Sequence, residues 1–167
     1  MRFRVAEMGL KKRIRVDSAG TLVSQPRQKP DARAVKVMSG AGIPLAGVKA
    51  RKVTAKDMDR NDYIVAMDDA NYDRLMAQYA ADYGQKITLL PDADPKSVFL
   101  QIPDPYFGNL DGFENVYQLL DRAIERLLSQ ISATPNFVAH VSAAPRSISN
   151  TPANSMPSSR RAANPSM

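Results

Sequence analysis

Asp104 lies between two prolines and ahead of two aromatics, in the run QIPDPYFGNL (Gln101–Leu110). A residue before proline is held extended, and rings beside a carboxyl strip away part of its water. An acid held this way suits protonation of a leaving group. Asp-Pro is equally ordinary turn chemistry, so the stretch alone does not decide between the two.

The rest of the chain narrows the chemistry. Its 167 residues contain no cysteine and a single histidine, His140. That removes disulfides, thiolate metal sites and thiol catalysis, and with them a zinc cluster. The acids Asp57, Asp59, Asp62, Asp68 and Asp69 match no calcium-loop spacing and read as helix caps and strand ends. Gly40-Ala41-Gly42 lacks the third glycine of a dinucleotide fingerprint and follows a helix, so it reads as a helix stop. No metal and no cofactor are expected.

The elements that must position these residues alternate. Phe3–Lys12 reads as a helix stopped near Gly9, without a capping residue before it. Ile14 and Val16 alternate with Arg13, Arg15 and Asp17 in a short strand ending at the turn Asp17–Thr21. A helix starts at Asp31 and another at Thr54, which with Asp57 has capping-box form. Asp62–Met67 is an apolar run typical of a strand buried on both faces, and Asp68, Asp69 and Asn71 cap the helix after it. Lys86–Leu90 is a third strand. Phe113–Ile131 is a strongly amphipathic helix, with Val116, Leu119, Leu120, Ala123, Leu127 and Ile131 on one stripe.

Strands alternating with helices predict an α/β fold with a small parallel sheet flanked by helices. In such folds ligands sit beyond the carboxyl ends of the strands. The Ser18 turn, the Met67–Asn71 turn and the approach to Asp104 share that edge.

Hydrophobic content of 44% with 24% charged residues fits one globular domain, and no apolar run approaches the length that spans a bilayer. The net charge of +6 sits at the two ends of the chain. Arg2, Arg4, Lys11, Lys12, Arg13 and Arg15 oppose only Glu7, and residues 132–167 carry three arginines and no acid. Without a clustered basic face carrying aromatics, nucleic acid is not an expected partner. Residues 132–167 hold eight Ser, seven Ala and five Pro, a composition that predicts disorder. Asn136–Ser142 alone is strand-capable there. The domain boundary thus falls at 131/132.

The order of motifs adds an identity. VDSAGT, PDARA, GIPL, ARKVT, DYIVAMD, IPDPYFGN and FENVYQLL, in that sequence from Val16 to Leu120, resemble the low-molecular-weight protein-tyrosine-phosphatase family. The resemblance runs from Arg4 to about Ile131 and implies a cytoplasmic enzyme acting on a phosphotyrosine protein or a small aryl phosphate. It implies that Asp104 is the general acid. Tyr106 and Phe107 would wall the aryl slot, Phe107 standing where many members have tyrosine. Ser18 would support the phosphate-binding loop, and Ser24 would stand in the variable loop where many members place an aromatic. Some members carry a supporting histidine near Gly47, which this chain lacks. Arsenate reductases share the fold, and they too depend on cysteine.

One departure carries weight. Family members begin with a buried strand and a loop Cys-x-x-x-x-x-Arg-Ser, whose cysteine attacks phosphorus. This chain opens inside the helix that follows that loop, so the resemblance implies a truncated start, a missing first strand and no catalysis. A pseudophosphatase or interaction module is the other reading. In the family the absent strand separates the Val16 strand from the Ile64 strand, a gap of ~10 Å. His140 suits a doubly apolar slot poorly, so the expectation is a vacant slot and edge pairing between molecules.

Overall fold

The computed structural model describes residues 1–90, 102–106, 108–133 and 139–144. Helix α1 (Arg2–Glu7) ends ahead of Gly9, whose φ of +69° suits a residue without Cβ. Strand β1 (Ile14–Ser18) follows, then α2 (Ala32–Gly40), α3 (Ala55–Arg60), β2 (Tyr63–Ala66), α4 (Asp69–Tyr83), β3 (Ile87–Leu89) and α5 (Leu110–Ser132). The last element is β4 (Ala139–Ala144).

Local chemistry sets the helix starts. Asp31 caps α2 by accepting from Arg33 N–H at 2.8 Å, and Asp68 caps α4 by accepting from Asn71 N–H at 2.7 Å. The Asp57 carboxylate accepts from the Thr54 N–H and hydroxyl, at 2.8 and 2.9 Å, closing the box that starts α3. Asn109 caps α5 through Gly112 N–H.

The four strands are parallel, in the order β1-β4-β2-β3. The expectation of a vacant central slot is therefore corrected: β4 fills it, pairing Val141 with Val16 on one side and with Tyr63 on the other. Disorder is corrected for 139–144 as well; the other residues beyond 133 lie outside the described set.

The physical reason lies in the faces of the slot. Side chains alternate along a strand. Val141, fully buried, joins Val65, Leu128 and Ile131 in a core roofed by α1 and α5. On the opposite face β2 and β3 pack under Met58 and Leu75 of α3 and α4. Beside β1 and β4, however, that face opens into a polar groove of about 600 Å³ lined by Arg2, Arg15, Asp17, Arg60 and His140, among others. The slot is thus apolar on one side only. His140 lies half-buried at its wet side, where its N–H donates to Asp62 Oδ2 at 2.8 Å and its carbonyl accepts from Asp62 N–H at 2.8 Å. The doubly apolar slot inferred from sequence held only for β2.

α1 is fastened to α5 across the chain. Arg4 Nε donates to Asp121 Oδ1 at 2.7 Å and Nη2 to the other carboxylate oxygen. This guanidinium holds the Asp121 carboxyl below its ordinary range, against the burial that raises it. Among the described residues no helix is long and apolar enough to cross a membrane.

Candidate functional site

The carboxyl edge of the sheet is built from three segments. Ser18 ends β1, and the chain continues with Ala19 N–H donating to the Ala143 carbonyl of β4 at 3.0 Å. Gly20 pairs with the segment at Lys52, and Arg27 and Ala50 exchange bonds with their opposite neighbours, so residues 20–28 lie beside 50–53. A Cβ on Gly20 would meet Val23 at 2.8 Å, so this turn is built around a missing side chain. The third segment rises from β2: Ile102 N–H donates to the Met67 carbonyl at 3.2 Å and carries the chain to Asp104.

Between these segments is a cleft of about 310 Å³. Ser18, Ser24 and Tyr106 are among the residues that line it. Leu22 and Val48 add apolar wall, and Lys29 and Lys49 bring cationic side chains. Both apolar residues are about two-fifths exposed.

Asp104 stands on the neighbouring loop and is exposed. Its Oδ1 accepts from Tyr106 N–H at 3.0 Å, fixing an Asx turn. Asp104 is not among the residues lining the cleft, so the structure joins it to the site through Tyr106. Phe107 lies outside the described residues.

Two residues that sequence reasoning passed over organise the site. Arg33, inside the PDARA run, donates from Nη1 to the Gly108 carbonyl at 2.7 Å and from Nη2 to the Tyr106 carbonyl at 3.0 Å. Its guanidinium stacks over the Phe113 ring, 4.5 Å from the centroid. Asp31 takes the remaining donors, at 3.1 and 2.8 Å. The Arg33 guanidinium holds the Asp31 carboxyl below its ordinary value, against partial burial that pushes it up. Nothing local in the sequence signals this reach from residue 33 to residue 108.

Arg51 is the second. It grips Asp57 through both nitrogens, at 3.0 and 2.8 Å, and Asp17 at 2.8 Å. Burial pushes the Asp57 carboxyl up, but hydrogen bonds from Arg51 and Thr54 outweigh it and leave the group below its ordinary value. Asp17 also accepts from Ser18 N–H at 2.8 Å. Arg51 thus locks α3 to the end of β1 and fixes Ser18 at the cleft. Among the described residues no acid or histidine cluster is arranged to hold a metal.

The sequence matches the model of the low molecular weight phosphotyrosine protein phosphatase family over residues 1–136. The human low molecular weight phosphotyrosine protein phosphatase is 35% identical over 128 residues, covering 75% of this chain and 80% of that protein. The Bacillus subtilis low molecular weight protein-tyrosine-phosphatase YfkJ is 35% identical over 127 residues, with the same coverage. Among solved structures, a protein tyrosine phosphatase from Entamoeba histolytica superposes with a TM-score of 0.72 at 31% identity, covering 78% of this chain and 83% of that one.

Proposed function

Because the chain belongs to the low molecular weight phosphotyrosine protein phosphatase family, we propose that it binds aryl phosphates of the phosphotyrosine kind in the Ser18–Tyr106 cleft without hydrolysing them. The observation that carries the reading is a cleft with apolar walls and two lysines in a chain of 167 residues without cysteine. Tyr106, Leu22 and Val48 offer surfaces for a ring, and Lys29 and Lys49 attract its phosphate.

Turnover needs more than this. The resemblance makes Asp104 the acid that would protonate a leaving phenolate, help worth roughly 10²–10⁴-fold when something attacks phosphorus. The thiolate that does so in the family has no counterpart here. Ser18 is no replacement: a serine hydroxyl needs an adjacent base to act as a nucleophile, and neighbouring Asp17 spends its oxygens on Ser18 N–H, Arg2 and Arg51. Losing a covalent nucleophile costs on the order of 10⁶-fold.

Calorimetric titration with phenyl phosphate tests the binding. We expect one site with a Kd on the order of 0.1–1 mM, weakened about tenfold in Lys29→Glu/Lys49→Glu. No saturable heat would remove the binding reading. Hydrolysis of p-nitrophenyl phosphate is expected to stay at the level of an Asp104→Ala control, and turnover that depends on Asp104 would overturn the absence of catalysis.

A further inference from the structure

A second concavity lies on the face of β1 and β4 turned away from α1 and α5. This polar groove of about 600 Å³ shares no lining residue with the Ser18–Tyr106 cleft. Four elements bring cationic or titratable groups to it. Arg2 comes from α1, Arg15 from β1, Arg60 from the last turn of α3 and His140 from β4. Arg15 and His140 are register partners on adjacent strands, so their side chains stand side by side on one face. Arg2 is drawn to the same strand by its Nε, which donates to the Val16 carbonyl at 2.9 Å.

The partners of these groups point to a ligand. Neither Arg15 nor Arg60 makes a hydrogen bond or an ion pair among the described residues. Arg2 reaches Asp17 only at 3.4 Å. The two acids that line the groove are already committed. Asp17 accepts from Arg51 and from Ser18 N–H, each at 2.8 Å. Asp57 accepts from Arg51 at 3.0 and 2.8 Å and from Thr54 N–H at 2.8 Å. Asp62, beside His140, is held by the His140 N–H at 2.8 Å. Three guanidiniums therefore border one hollow with most of their donors unmet, and like charges gathered in this way repel one another.

The chemistry of the donors narrows the occupant. A guanidinium is a planar fork that matches the oxygens of a phosphoryl group. The volume lies in the range that holds a whole small ligand, and the three forks stand on three separate elements. One tetrahedral ion would leave part of that array unused. We propose that the groove is a binding site for a small anion carrying two or more phosphoryl groups, held by Arg15, Arg60 and Arg2 with His140 beside them.

Calorimetric titration of the full chain with inorganic pyrophosphate tests this, in about 0.1 M salt so that general charge attraction is screened. One saturable site is expected. Arg15→Gln/Arg60→Gln changes two exposed side chains and should weaken binding about tenfold or more, because charge-assisted contacts are lost. Thermal melting checks its fold. Arg15→Lys/Arg60→Lys keeps the charge and should recover only part of the affinity, since an ammonium lacks the fork. Lys29→Gln/Lys49→Gln removes the same charge from the other cleft and should leave pyrophosphate binding nearly unchanged. Inorganic phosphate should bind about tenfold more weakly than pyrophosphate. Equal weakening in the arginine and lysine pairs would mean unspecific attraction and overturns the proposal. Binding lost only in the lysine pair places the anion in the cleft and overturns it as well. So does phosphate binding as tight as that of pyrophosphate, or the absence of saturable heat.

Discussion

Arg33 and Tyr106 are joined twice: Nη2 donates to the Tyr106 carbonyl at 3.0 Å, and the guanidinium lies 5.8 Å from the centre of the Tyr106 ring. With the bond to Gly108, this clamps the loop that carries Asp104 onto the first turn of α2. The clamp needs a planar fork, since one head group serves Asp31, Tyr106 and Gly108 together.

Arg33→Ala should therefore free the loop and leave the sheet in place. Hydrogen exchange at the amides of Tyr106 and Gly108 is expected to rise about tenfold, the equivalent of about 1.4 kcal/mol of local stability. Exchange in β2 should not change. Arg33→Lys should recover only part, because an ammonium cannot reproduce the fork. Equal protection in the alanine variant would show that the loop holds itself.

Much of this architecture is legible from single residues. Asp31, Thr54 with Asp57, and Asp68 announce their helices because a cap acts within three residues of itself. Ile64 to Ala66 announce a buried strand because β2 is covered on both faces. The readings that fail are the long-range ones. His140 argued against a central strand only on the premise that both faces of the slot are dry, and the groove beside Arg15 is a tertiary feature with no local signature. Arg33 and Arg51 give no signal in the sequence, because their distant partners, at positions 106–108 and 17, are set by the fold.

Asp57 ties stability to pH. Its carboxyl lies below its ordinary value of 3.8 in the folded chain. A depressed acid stabilises the fold fully above its unfolded pKa, and that contribution is lost as pH falls through the lower folded value. Asp121, held down by Arg4, acts in the same direction. Asp57→Asn should cost about 1–2 kcal/mol at pH 7, since the cap and ion pair go together while solvent screens the one-third exposed Arg51. Urea unfolding of both proteins at a series of pH values measures this. The gap should narrow as pH drops below 3.8. A gap that stays constant down to pH values well below that would separate Asp57 from acid stability.

The turn after β1 is held from below by one buried hydrogen bond: the Thr21 hydroxyl donates to Asn71 Oδ1 at 2.6 Å. Asn71 is fully buried, and its amide nitrogen has no partner. Among the described residues, Thr21 supplies the one hydrogen bond that reaches the Asn71 side-chain amide. Thr21→Val keeps the shape and removes the donor, leaving both ends of a buried amide unmet, at a cost of about 1–3 kcal/mol. Asn71→Leu strands the hydroxyl instead and adds some crowding. When both partners become apolar, the desolvation penalty disappears with them. The double variant Thr21→Val/Asn71→Leu should therefore be more stable than the sum of the single losses predicts, by a coupling of about 1 kcal/mol or more. Chemical denaturation of the four proteins closes the cycle. Additive losses would mean that the pair is not coupled, and that the turn beneath the cleft is held by its backbone bonds to residues 51–53 alone.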